Sequence, residues 1–255
     1  MGDTVGPLSV PWRRSAATAA TAVLAVGALA GCRAGVQVPP SSGQGGPGLN
    51  ASGEQRSFTG DELVGTAAAA KTALRLGGAV LDAPQLAAQK EAAVQGLFTD
   101  TSPAACAALT VTSTPAGLDR AAAALVVAPS DSHAQHTAVG LKSRATPEEA
   151  SAEVAALAKA AAACGRYQAS FGGLRVPVTA AAADPGADAQ EAVMVTSTAQ
   201  VPDGSGGTPQ ERTVVRALAA KGTVVVEVLL VDAQADDAAA TVRGYIDMAL
   251  ARLPL

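Results

Sequence analysis

Two histidines and three cysteines are the scarce reactive side chains of this 255-residue sequence. His133 and His136 stand as H-x-x-H beside Asp131. Zinc binding is the chemistry such a spacing offers, but catalytic zinc usually takes three protein ligands on rigid elements. These histidines lie in or beside a polar turn, Pro129-Ser130-Asp131-Ser132, so a solvated loop is the simpler account and no metal site is expected. A serine hydrolase would have to use one of the same histidines. No G-x-S-x-G elbow occurs, and Gly204-Ser205-Gly206 falls in a loop. The acid pairs Glu148-Glu149 and Asp236-Asp237 sit where helices begin, a place that suits carboxylates because of the helix dipole. Gly43, Gly45 and Gly48 spell G-x-G-x-x-G, but a dinucleotide site needs that motif between a strand and a helix, and here it lies in a Gly/Pro/Ser tract. No catalytic residue, enzyme class or cofactor is supported.

The cysteines say more. Leu29-Ala30-Gly31-Cys32 resembles the bacterial lipobox, where a signal peptide is cut before a cysteine that then carries lipid. Residues 1–31 have the matching order: Trp12-Arg13-Arg14 as a positive start, an uncharged and mostly apolar run from Ala16 to Leu29, then small residues. That run is too short for a hydrocarbon core of about 30 Å, which needs roughly 20 helical residues. Lipidation at Cys32 would tether the rest of the chain to the extracytoplasmic face of the cell membrane, since two or more acyl chains anchor stably where one does not. Cys106 and Cys164 remain, and an even pair in an exported protein reads as one disulfide.

Composition narrows the partners. The net charge of −4 argues against nucleic acid, whose binding needs clustered Lys and Arg. Aromatics make up 2% of the chain, too few for the stacking platforms a carbohydrate surface usually uses. Residues 32–57 read as the lipidated cysteine plus a flexible linker, because Val38-Pro39-Pro40-Ser41-Ser42-Gly43 and Gly45-Gly46-Pro47-Gly48 cannot build a core. One folded domain is expected over 58–255.

That domain opens with Thr59 and Glu62 at capping-box spacing, with Phe58 and Leu63 placed as a hydrophobic staple. Leu63, Ala67, Ala70 and Leu74 share one face, and Gly77-Gly78 ends the helix. Leu86, Val94 and Leu97 hint at a second helix across 84–98. Ser102-Pro103 starts a short helix carrying Cys106, with Pro at N1. Strands are expected over 122–128 and 136–143. The strongest helix follows, with Thr146, Pro147 and Glu149 as its capping box and Val154, Leu157, Ala161 and Cys164 facing the core, before Gly165 as its C′ residue. Further strands are expected over 166–171, 174–179 and 191–198, then a hairpin of 211–220 with 223–231. A closing helix carries Val242, Ile246, Ala249 and Leu253 on its apolar stripe. Antiparallel strands with helices before, between and after them indicate an α+β fold, an antiparallel sheet packed with helices.

The final hairpin has two registers. Lys221-Gly222 at the centre of the turn would put lysine at positive φ, whereas Gly222-Thr223 fits a type II′ turn and sets Val214 opposite Val231. In either register Arg216 and Glu227 share a face. They read as the only charges well inside otherwise apolar strands. They are candidate ligand-binding residues at the floor of a cleft; a cross-strand ion pair on a solvated face is the simpler account.

Several of these pieces together resemble the PknH-like sensor domain, the extracellular domain of the mycobacterial serine/threonine kinase H, a module also found in actinobacterial lipoproteins. The pieces are Ser102-Pro103-Ala104-Ala105-Cys106, the helix ending Ala163-Cys164-Gly165, and Val215-Arg216-Ala217-Leu218 running into Val224-Val225-Val226-Glu227-Val228, with the final helix. The resemblance covers roughly residues 58–255. It implies an antiparallel sheet with packed helices, a cleft suspected of binding a ligand, no catalytic activity, and two disulfides. Cys106 and Cys164 match one bridge, and Val214 and Val231 stand where the other would be. The expected function is a lipid-anchored, non-enzymatic sensor-like module that binds a small ligand or an envelope protein. A lipid or glycolipid carrier of the cell envelope is the alternative.

Overall fold

The computed structural model describes residues 56–88, 97–110, 123–128, 134, 136–202, 207–233 and 237–254. The chain divides into two units, 1–48 and 49–255. All described residues belong to the second. Cys32 and its signal-like segment, the linker glycines, Asp131, His133, Gly204-Ser205-Gly206 and Asp236 lie outside the described residues, as do 89–96 of the expected second helix.

Among the described residues, nine strands form one antiparallel sheet: β1 (Ala79–Asp82), β2 (Thr99–Ser102), β3 (Ala123–Ala128), β4 (His136–Ser143), β5 (Arg166–Phe171), β6 (Leu174–Ala183), β7 (Glu191–Val201), β8 (Gln210–Lys221) and β9 (Val224–Val231). Their spatial order is β1-β3-β4-β9-β8-β7-β6-β5-β2. Strands β5 to β9 follow one another as a meander. The pairing of β4 with β9, from His136↔Val231 to Ser143↔Val224, joins that meander to β3 and β1, while β2 pairs with β5 at its other end. The α+β assignment therefore stands, with every strand pair antiparallel.

Helices cover both faces. On one, α1 (Gly60–Ala73) and α4 (Ala238–Leu250) bury Leu63, Ala67, Val242 and Ile246 against the odd-numbered β4 residues Val139 and Leu141 and the even-numbered β9 residues. On the other, α3 (Pro147–Ala163) and a short 3-10 helix, η1 (Ala104–Leu109), pack Val154, Leu157, Cys106 and Leu109 over Val225, Leu229, Val214 and Leu218. All eight residues of β9 are buried, which is why its sequence is a nearly continuous apolar run rather than an alternation. The short helix α2 (Ala83–Ala88) follows β1.

The local signals act as their chemistry requires. The Thr59 hydroxyl accepts from the Glu62 amide while the Glu62 carboxylate accepts from the Thr59 amide, completing the capping box. Phe58 and Leu63 are both buried, as a staple should be. At α3 the box is half formed. Thr146 accepts from the Glu149 amide, but Glu149 Oε2 accepts from the Ala145 amide one residue earlier. Pro103 is the cap of η1 rather than its first residue. Gly165 is absent from the positive-φ residues, so it enters β5 without forming a left-handed helix stop, and its carbonyl accepts from the Ala180 amide. Gly222 has φ 57°, which identifies it as the first central residue of a type II′ turn. The register is accordingly Val214↔Val231 and Lys221↔Val224.

Candidate functional site

The register of β8 and β9 decides where the strand charges go. Arg216 is the Cα partner of Leu229 and Leu218 of Glu227, so Arg216 and Glu227 are diagonal neighbours on one face. That face is the one under α3 and η1, together with Val214, Leu218, Val225 and Leu229. Arg216 Nε donates to Glu227 Oε1 at 2.8 Å. The expected solvated face is thus corrected. Helices pack over this side of the sheet, and the Glu227 side chain is only 5% exposed.

A third strand charge was missed in the sequence. Lys142 stands on β4, paired with Val225 of β9, and its side chain is 0% exposed. Removing an ammonium from water costs several kcal/mol, so such a lysine needs carboxylate partners. It has two. Lys142 Nζ donates to Glu227 Oε2 at 3.1 Å and also to Glu153 Oε1, a carboxylate lowered from α3. Arg144, just past β4, donates through Nε at 2.8 Å and through its terminal nitrogen to Glu153 Oε2. The five groups therefore form a chain of alternating charge: Arg144, Glu153, Lys142, Glu227, Arg216.

Opposing influences act on Glu227. Burial would raise its pKa, but the nearby charges of Arg216 and Lys142, with their hydrogen bonds, outweigh burial and hold the carboxyl below its ordinary value. The group is ionised at neutral pH.

Beside this chain lies a cleft of about 490 Å³. One wall is η1, through Ala107 and Ala108, with Thr110 just past its end, and the other is α3, through Ala156 and Leu157. Leu218 and the side chains of Arg144, Glu153, Arg216 and Glu227 complete the lining. The walls are apolar and the floor is ionic. Cys106 of η1 and Cys164 at the end of α3 are joined by a disulfide, which ties the two walls together. Two polar contacts hold η1 further. Arg216 donates through Nη1 to the Ala108 carbonyl at 2.8 Å, and the Thr101 hydroxyl donates to the Cys106 carbonyl at 3.0 Å.

His136 begins β4 opposite Val231 and is half-buried, and that burial lowers its pKa. His133, the other histidine of the H-x-x-H spacing, lies outside the described residues. Among the described residues, no three or more His, Cys, Asp or Glu side chains gather as a metal site, and no helix is long and apolar enough to cross a membrane.

No family model matches the chain, and no curated protein does. In three dimensions the chain is similar to the crystal structure of the extracellular domain of PknH from Mycobacterium tuberculosis. The two share 15% identity at a TM-score of 0.49, over 76% of this chain and 96% of that one. The similarity to that domain is one of fold.

Proposed function

We propose that this chain is a lipid-anchored module on the extracytoplasmic face of the cell membrane, where the domain over 58–255 binds a small ligand without transforming it. The observation that carries the reading is the cleft between η1 and α3. Its volume falls within the range of about 300–1,000 Å³ typical of small-molecule sites, and it combines apolar walls with a few fixed polar groups. The anchor rests on Leu29-Ala30-Gly31-Cys32 and the segment before it, with 32–57 as the spacer between membrane and domain. Arg216 and Glu227 are the ligand-binding residues in this reading, now joined by Arg144 and Glu153. An envelope protein is the second kind of partner, and nucleic acid is no partner for a chain of this charge.

Two experiments test it. Native mass spectrometry of the full-length chain, after exposure to a lipid and metabolite extract of its source cells, should show a stoichiometric adduct. The adduct's mass separates a small metabolite from the lipid or glycolipid that a carrier would hold. A bare mass, under conditions where a control binder keeps its ligand, counts against both and directs attention to an envelope protein. For the anchor, Cys32→Ser should move the protein from the membrane fraction to the soluble one. Unchanged fractionation would remove the lipid tether from the reading.

A further inference from the structure

Among the described residues, the ion chain beneath the cleft has an odd number of members, and both of its ends are arginines. Three cations, Arg144, Lys142 and Arg216, share two carboxylates, Glu153 and Glu227. Each carboxylate is already divided between two cations. Lys142 is fully enclosed and lies between them, while exposure rises toward the ends, to 14% at Arg216 and 25% at Arg144. Both terminal arginines line the cleft together with Glu153 and Glu227, and Lys142, the third cation, lies behind that lining. An uncompensated charge beside apolar walls is costly to desolvate. The group that removes this cost is an anion entering the cleft where the two arginines face it.

Resting on the reading of the cleft as the ligand site, we infer that its ligand is an amphiphilic anion, with a carboxylate or phosphate received by Arg144 and Arg216 and an apolar body laid between η1 and α3. Guanidinium suits that task, because its planar fork gives paired hydrogen bonds to an oxyanion and never loses its charge. The walls suit the other end of the molecule. Ala107, Ala108, Ala156, Leu157 and Leu218 offer small and aliphatic side chains without donors, against which the methylenes of the ligand can be buried. Arg216 meets a competing demand, since it already donates to Glu227 and to the Ala108 carbonyl. An oxyanion at Arg216 therefore also reads the position of η1, the wall that Arg216 helps to hold.

Four probes with one tail test this on the full-length chain: octanoate, octyl phosphate, octanol and octyltrimethylammonium, followed by isothermal titration below their micellar concentrations. Saturable binding of octanoate, octyl phosphate or both is expected, and whichever binds more tightly identifies the headgroup. Arg144→Gln, at the more exposed end of the chain, should weaken that binding at least tenfold, and Arg216→Lys should weaken it while keeping the charge that Glu227 needs. Equal binding of octanol, tighter binding of the cation, no binding of either anion, or anion binding that neither variant changes overturns the inference. The broader reading fails separately. It is lost when the native chain takes up no adduct from the cell extract, whereas a neutral or cationic adduct in the cleft leaves it standing and removes only the anion.

Discussion

Lys142 of β4 and Glu227 of β9 meet at 3.1 Å inside the protein, although 85 residues separate them in sequence. Their contact exists only because β4 docks against the last strand of the meander. Breaking a buried pair by removing one partner typically costs about 3–5 kcal/mol, since the other charge stays buried. Glu227→Gln is expected to lower stability by about that amount in urea denaturation. Combining it with Lys142→Met should cost less than the two single changes added together, with a coupling of roughly 0.5–3 kcal/mol. Strict additivity would show that the two groups do not interact.

Acid should undo the same contact. Glu227 has its folded-state pKa held below the ordinary 4.5, so its contribution to stability is complete above that value. The contribution is lost as pH falls through the depressed folded-state value, where the unfolded chain already binds the proton. Urea midpoints measured downward from neutral pH should fall in the acid range, and Glu227→Gln should flatten part of that fall. A variant whose acid limb matches the parent's would assign the loss to other carboxylates.

The bridge between Cys106 and Cys164 closes a loop with a sequence separation of 58. On the chain-entropy estimate, a loop of that size contributes roughly 4 kcal/mol. Replacing both cysteines by serine should therefore lower the melting temperature markedly. Because the bridge joins η1 to α3, the same change should weaken occupancy of the cleft more than Thr59→Ala, which disturbs only the cap of α1 on the opposite face. Equal effects of the two changes on binding would detach the bridge from the cleft.

Val214 and Val231 offer a constructive test of the register. The Asp232 amide donates to the Thr213 carbonyl, so residues 213 and 232 form the hydrogen-bonded pair and their neighbours Val214 and Val231 the non-hydrogen-bonded one. Cα atoms in such pairs lie about 4.5 Å apart, within the span of a disulfide. Val214→Cys with Val231→Cys should oxidise to a second bridge, seen as a loss of two thiols by mass spectrometry. Two persistently free thiols would contradict the register.

The sequence made the elements legible where local chemistry is strong. Thr59, Glu62, Thr146 and Pro147 marked helix starts, and Gly222 chose the hairpin register. β1 and β2 escaped because each is four residues long, and Thr-Asp-Thr-Ser has no apolar residue to alternate. Such short strands suit the two edges of the sheet, where a long unpaired backbone would invite another chain. At the site, Arg216 and Glu227 were visible because they interrupt apolar strands joined by one turn. Lys142 stands next to Ser143 and Arg144 near the end of β4, where nothing in its sequence neighbourhood distinguishes it from a solvated strand end. Glu153 is one more acid on a helix already carrying Glu148 and Glu149. Nothing local in either segment says that α3 lies over β4, or that β4 lies beside β9.

Glu227 has a further consequence before the protein is folded. β9 reads Val-Val-Val-Glu-Val-Leu-Leu-Val, eight residues of strand-forming side chains with a single charge near the middle. Segments of this length, rich in β-branched residues and without a charge or proline, stack readily between unfolded chains, and an interrupting charge is the usual guard. The carboxylate that later lies under the cleft thus protects the nascent strand from its own copies. Folding then takes over that protection by enclosing β9 between β4 and β8, away from either edge of the sheet. Glu227→Val, which makes β9 apolar from end to end, would leave the strand unguarded during the interval when the chain is still extended.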